Sequence, residues 1–431
     1  MRTHPLIYEI NTWPWLAELS AAAGVTLDLS TVPERQWDAI ADAGFDAVWL
    51  MGVWERSPAG VEIALADPDL VASFRAALPD WTPADVVGSP YSIRNYVVDA
   101  HLGGRDGLAA ARAELAARGV ALILDFVPNH VAPDHPWTSE HPEYFVHDGD
   151  RLALGKDPYF PPWPDVVQLN AFSPALRDAM LATLGDIAEQ CDGVRCDMAM
   201  LMINEVFART WGDRAGDIPL QEYWPMMIGA VRQTHPDFCF IAEAYWDMES
   251  ALQQQGFDFC YDKRLYDRLV DGDAAGVSAH LTADVAFQDR LLRFAENHDE
   301  ARLAAVADSA RARAIAVATL TQTGARLVHQ GQVEGRRVHL PVFLGRSPRE
   351  EVDDDLAMFY RSLLTTLRDS AFRTGTWSLC EVSDSRLVAW RWAGERQWLV
   401  VVNLSDVPVS DRVVGSEIEL DAWGWHLGPL D

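Results

Sequence analysis

Basic residues are scarce in this chain: 35 lysines and arginines stand against 64 aspartates and glutamates, a formal charge of −29 at pH 7 over 431 residues. Such a surface repels polyphosphate backbones and anionic lipid, so nucleic acid and membrane surfaces are excluded as partners. Cysteine is scarce too. The five (Cys191, Cys196, Cys239, Cys260, Cys380) are odd in number and lack the C-x-x-C spacing of a zinc or redox site, so reduced, buried thiols are expected. No apolar run approaches a membrane span, and "MRTHPLIYEINTW" lacks a basic stretch followed by an apolar core and a small-residue cleavage site. A cytoplasmic address is the expectation. No strand is followed by a Gly-rich phosphate loop, and "LGGRDG" at 102–107 precedes a helix without the strand that a dinucleotide fingerprint requires.

What the chain does contain is a repeated unit: an amphipathic helix, a turn residue, then a short apolar strand. "ERQWDAIADAG" leads into "FDAVWLMGV", "DGLAAARAELAARG" into "VALILDFV", and "SPALRDAMLATLGDIAEQC" into "DGVRCD". Ser173 and Pro174 suit the start of the third helix, and Leu176, Met180, Leu184 and Ile187 share one of its faces. The strands are continuously apolar, as a parallel sheet covered by helices requires. Adding "LIYEINTW", "DFCFIAEAYW", "GFDFCYD", "LLRFAENHD" and "ARLVHQG" gives about eight strands, the number of a (β/α)8 barrel; a doubly wound open sheet is the alternative at this level. From residue 372 the texture becomes alternating, with "RLVAWRW" and "QWLVVVNL" joined by "AGE" as a hairpin. The expected organisation is therefore a catalytic barrel over 1–371, with a reduced insertion at 131–169, and a small β-sandwich-like domain over 372–431. Seventeen tryptophans exceed what a core needs, and flat aromatic faces suit sugar rings.

In a parallel barrel the C-terminal strand ends form the active face. The third strand ends in Asp125, Asn129 and His130, the fourth in Arg195 and Asp197, the fifth in Glu243, and the seventh in Asn297, His298 and Asp299. Carboxylates paired at one rim suit glycosidic cleavage, one attacking while another protonates the leaving oxygen. Residues two apart on a strand face the same way, so Arg195 is expected beside Asp197, holding it anionic. Glu243 has no basic neighbour in sequence and follows an apolar run, so desolvation should raise its affinity for a proton.

The chain resembles glycoside hydrolase family 13, the α-amylase family. "DFVPNH", "GVRCD", "IAEA" and "ENHD" are similar to its four signature regions in order, and "VVQLN" to its additional region before the fourth strand. The resemblance implies Asp197 as nucleophile, Glu243 as acid/base and Asp299 as transition-state stabiliser. It further implies Tyr91, His130, Arg195 and His298 around the −1 sugar, Arg302 reaching the substrate, and Trp246 either lining the +1 side or packing in the core. About 35 residues separate His130 from "VVQLN", so the inserted domain of the family is reduced to a loop. No cofactor is expected. Calcium is not favoured, because only Asn129 stands out as a ligand and hard cations need several oxygens. A carbohydrate is the expected small-molecule partner, acted on by a retaining hydrolase of short α-glucosides or α-glucan oligosaccharides. A transglycosylase, glucoside phosphorylase or disaccharide isomerase of the same fold is the alternative, and a catalytically dead binding protein the reading from another class. The sequence sets neither linkage preference nor oligomeric state.

Overall fold

The eight apolar runs become the eight staves of one closed barrel in the computed structural model, which describes residues 3–430. They are β1 (Leu6–Asn11), β2 (Ala47–Met51), β3 (Ala121–Phe126), β4 (Gly193–Cys196), β5 (Cys239–Ala242), β6 (Phe259–Tyr261), β7 (Leu291–Phe294) and β8 (Ala325–His329). Each strand pairs in parallel with its neighbours in chain order, and β8 closes onto β1 with Leu6 opposite Arg326. Strands buried on both faces suit a doubly wound sheet as well as a barrel, and it is the β8–β1 pairing that closes this one.

Helices cover the outside: α1 (Glu34–Ala43), α2 (Pro58–Ala66), α3 (Pro68–Ala77), α4 (Gly104–Ala117), α5 (Pro174–Gln190), α6 (Tyr223–Thr234) and α7 (Ser309–Leu320) among them. Local chemistry explains their limits. In α5 the Ser173 hydroxyl accepts the Leu176 N–H, Pro174 occupies the first turn, and Leu176, Met180, Leu184 and Ile187 are all buried. Gly44 ends α1 in the left-handed region at φ 88°, where a side chain would be strained.

The insertion after β3 is short but folded. Strand pairs His130–Val131 and Leu154–Gly155 flank Trp163–Gln168 in a three-stranded antiparallel patch beside the barrel mouth. Beyond the barrel, β9 (Thr376–Leu379), β10 (Leu387–Ala393), β11 (Gln397–Asn403) and β14 (Trp425–Leu430) form an antiparallel sheet, and β12 (Val409–Val413) pairs with β13 (Ser416–Leu420). This unit is anchored to the barrel by two tryptophans on β10: the indoles of Trp390 and Trp392 both donate to the Thr321 carbonyl, which follows α7. Four of the five cysteines are buried and all are free. Among the described residues no helix is long and apolar enough to cross a membrane.

Candidate active site

The C-terminal strand ends open into a cavity of about 730 Å³ whose lining includes Tyr91, His130, Asp197, Glu243 and Asp299. Five residues separated by up to 208 positions thus meet at one hollow. Barrel closure brings them together. The segments that follow β2, β3, β4, β5 and β7 deliver these residues to the same rim.

Arg195 organises the floor. It is about 1% exposed, its Nη1 lies 2.8 Å from Asp197 Oδ1, and its Nη2 lies 2.9 Å from Glu243 Oε2. Tyr261 supports Nε at 3.2 Å, and the guanidinium lies 5.2 Å from the Trp49 ring and 5.1 Å from the Tyr91 ring. The expected contact with Asp197 is present. Its consequence is more balanced than the spacing suggests: burial raises the Asp197 pKa above the ordinary carboxylate value, and Arg195 opposes that rise without cancelling it.

Glu243 corrects a step of the sequence reading. It has no basic neighbour along the chain, but the fold sets Arg195 against it. Its Oε2 also accepts the Met198 N–H at 2.5 Å, and its Oε1 accepts the Tyr245 hydroxyl at 2.9 Å. Met198 adopts φ 42°, a left-handed conformation uncommon without glycine, and this turn is what aims its N–H at the carboxylate. Burial still prevails over Arg195, and with the nearby Asp197 and Asp299 charges it pushes the Glu243 pKa up to about 7.

Asp299 is the most open of the three, with its side chain 44% exposed. Partial desolvation in the cleft raises its pKa, but His298 outweighs that and holds it down at about 2. His298 Nε2 lies 3.0 Å from Asp299 Oδ2 and 2.6 Å from the Tyr91 hydroxyl, while Nδ1 lies 2.5 Å from Glu9 Oε1. Burial lowers the His298 pKa, yet the two flanking carboxylates lift it well above the ordinary value, so the ring is an imidazolium. His130 behaves in the opposite way. Burial takes it down to about 4, leaving a neutral ring 5.3 Å from Trp163.

Arg302 is not where the resemblance would put it. Its guanidinium is buried against Glu296 at 2.7 Å, His329 at 2.8 Å and the Gln330 carbonyl, and it does not line the cavity. The helical turn from Leu303 starts at this residue and directs the side chain toward β8, where buried Glu296 neutralises it. Trp246, by contrast, does line the cavity, edge-on to Tyr159 at 4.7 Å.

Several site residues escaped the sequence reading. Glu9 carried a signal, a lone acid within "LIYEIN", but its partner lies 289 positions away. Tyr245 sits two residues past Glu243. Phe160 and Phe343 come from loops whose shapes no periodicity encodes, and Trp163 starts the strand Trp163–Gln168 of the insertion.

A calcium site built on Asn129 does not fit. Its Oδ1 already accepts the Gln168 amide at 2.9 Å, so an amide donor stands where a cation would require another oxygen. Among the described residues no group of three or more His, Cys, Asp or Glu side chains converges as a metal site.

Residues 27–162 match the family model of the alpha amylase catalytic domain. An alpha-1,4-glucan:maltose-1-phosphate maltosyltransferase of Rhodospirillum rubrum is 31% identical over 187 residues, 41% of this chain and 25% of that one. Alpha-amylase MalA of Haloarcula japonica is 24% identical over 327 residues, 70% of this chain and 42% of its own length. The chain therefore spans a quarter to under half of these two curated relatives. Solved structures share the fold along the whole chain. An alpha-amylase from Lactobacillus plantarum superposes with a TM-score of 0.73 at 20% identity, covering 100% of this chain and 99% of its own. A cyclic alpha-maltosyl-(1→6)-maltose hydrolase from Arthrobacter globiformis gives 0.74 at 18% identity, covering 99% of each. That catalytic-domain match covers residues 27–162, and the residues that resemble the family's signature regions gather at the mouth of the barrel shared with these structures.

Proposed function

We propose that the protein is a retaining α-glycosidase acting on short α-glucosides or α-glucan oligosaccharides. The observation that carries this reading is the division of labour among three carboxylates on one cavity: Glu243 with its pKa near 7, Asp299 near 2, and Asp197 on the Arg195 guanidinium. Glu243 is suited to hold a proton near neutrality and Asp299 to stay ionised. One guanidinium grips both Asp197 and Glu243, which favours the shorter carboxylate spacing, about 5–5.5 Å, at which the second carboxylate attacks carbon directly.

In the first step Asp197 Oδ attacks the anomeric carbon, the glycosidic C–O bond breaks, and Glu243 gives its proton to the leaving oxygen. In the second step Glu243 takes a proton from the incoming hydroxyl, whose oxygen attacks the same carbon and releases Asp197. Asp299, kept ionised by the His298 imidazolium, flanks the sugar and stabilises the positive charge that develops on its ring.

The lining also bears on the acceptor. It holds eight carboxylates (of Asp157, Asp165, Asp197, Glu243, Glu249, Asp267, Asp299 and Glu300) against Lys263 and Arg264. Both cations are already paired, Lys263 with Asp267 and Glu300, and Arg264 with Asp247 at 2.8 Å. Such a field repels phosphate, so water or a neutral sugar hydroxyl is the fitting acceptor. Transfer to a sugar is the second reading, favoured by Phe160, Trp163 and Trp246 along the cavity wall.

The experiment is labelling with an α-glucosyl fluoride that carries a second fluorine on the sugar, followed by peptide mapping, with product anomers read by NMR. A glycosyl ester on Asp197 and α-configured first product are expected. Release of the β-anomer, or a label elsewhere, removes this mechanism.

A further inference from the structure

The two ends of the cavity are built differently. In an eight-stranded closed barrel β5 lies opposite β1, so Glu243, at the end of β5, faces the β1 side across the mouth. On the Glu243 side the lining is Trp246 and Glu249 from the segment after β5, and Lys263, Arg264 and Asp267 from the helix Lys263–Asp271 after β6. On the other side a segment after β8, residues 338–346, is tied to the chain that follows β2.

The ties are continuous. Val87 N–H donates to the Phe343 carbonyl at 2.8 Å, Gly345 N–H to the Asp85 carbonyl at 2.8 Å, and Leu344 bridges Val86 between them. Arg346 Nε lies 2.6 Å from Asp85, and His339 Nε2 lies 2.9 Å from the carbonyl of His298. The α2–α3 pair backs the segment with its own small core, in which Phe74, Leu78, Val86 and Leu344 are buried. Phe343 lines this side together with Ser89 and Tyr91 of the chain after β2, its ring 5.8 Å from that of Phe74. Behind His298 the remaining void is about 20 Å³, space for roughly one water and no sugar ring.

Direction follows from chemistry. Glu243 protonates the oxygen of the group that leaves, so the leaving part, with the reducing end, lies on the β5–β6 side. The sugar transferred to Asp197 extends away from Glu243, toward β1, and whatever is joined to its far hydroxyls must fit there. We infer that this donor end is blind, walled by Phe343 and the 338–346 segment, so that the protein takes the non-reducing terminus of an α-glucoside and does not act within a longer chain. The inference rests on the glycosidase reading and adds the class of substrate: chain ends, with the length variation on the leaving side.

The test uses the native protein with three substrates: maltoheptaose, maltoheptaose whose terminal non-reducing sugar carries a 4,6-ethylidene acetal, and a cyclic glucan that has no end. The free oligosaccharide is expected to be shortened from its non-reducing end, and the blocked and cyclic ones to react on the order of 100-fold more slowly or worse. Blocked and free substrates consumed within about threefold of each other would overturn the blind end while leaving the glycosidase reading intact. If none is consumed and the fluoride labels nothing, the glycosidase reading falls and takes this one with it. F343A should restore at least about tenfold of the relative rate on the blocked substrate. A folded F343A that gains nothing overturns the place given to Phe343.

Discussion

The Tyr245 hydroxyl offers the sharpest test of how the acid is set. It donates to Glu243 Oε1 at 2.9 Å while Arg195 and the Met198 N–H hold Oε2. A hydrogen bond to an ionised group contributes about 1.5–3 kcal/mol, and the protonated acid keeps part of it, leaving roughly 1 kcal/mol in favour of the anion. At 1.36 kcal/mol per pKa unit this lowers the Glu243 pKa by ~0.5–1 unit. Y245F removes the donor and nothing else of the ring. With Glu243 as the proposed acid, protonated in its active form, activity should fall as pH rises through about 7 in the native protein. In Y245F that limb should move to higher pH by ~0.5–1 unit. The assay is kcat/KM against pH for an aryl or sugar α-glucoside, with an α-glucosyl fluoride alongside, whose fluoride departs with little need of an acid and whose alkaline limb should be shallower in both proteins. An unchanged limb in folded Y245F, or one displaced to lower pH, refutes the assignment of this hydroxyl to the carboxylate anion.

Other substitutions probe the remaining parts. D197N keeps the shape of the nucleophile but cannot form the ester, so turnover should drop by on the order of 10⁴-fold or more in single-turnover assays of the pure protein. E9Q removes one of the two anions that keep His298 protonated; Asp299, now held at about 2 by that ring, should rise, and the acid limb of the pH profile should shift upward, with kcat/KM down ~10–100-fold. An acid limb that stays in place would show that Glu9 only packs. W392A empties a fully buried site and deletes a 2.7 Å bond to the Thr321 carbonyl, and should cost about 3–5 kcal/mol in urea unfolding. Incubation with EDTA should alter neither the melting temperature nor the rate; a loss reversed by calcium would contradict the account of Asn129 and Gln168.

Much of the architecture was legible because barrel strands are short apolar runs whose last polar residue advertises the rim. "LILDFVPNH", "GVRCD", "FCFIAEAYW" and "FAENHD" each mark a strand and its functional end, and the period of two along β4 puts Arg195 and Asp197 on one side. The same reasoning failed wherever a partner was distant. It found no basic neighbour of Glu243 along the chain and so missed Arg195, one strand away in the closed sheet at 2.9 Å, although the raised proton affinity it expected from burial agrees with the structure. It sent Arg302 toward substrate, although Glu296 and His329 hold it behind the wall.

The order of residues along the chain was enough to specify eight parallel strands, the helices that cover them and the candidate acids at their ends, because each of these is encoded by spacing over a few neighbouring positions. Only the tertiary structure decided which charges share a guanidinium, which histidine stays protonated between Glu9 and Asp299, and which end of the cavity the 338–346 segment shuts. Those outcomes depend on distances through space that barrel closure creates, between residues as far apart as Glu9 and His298, and electrostatic interaction follows that distance and the burial of the groups, not their separation along the chain.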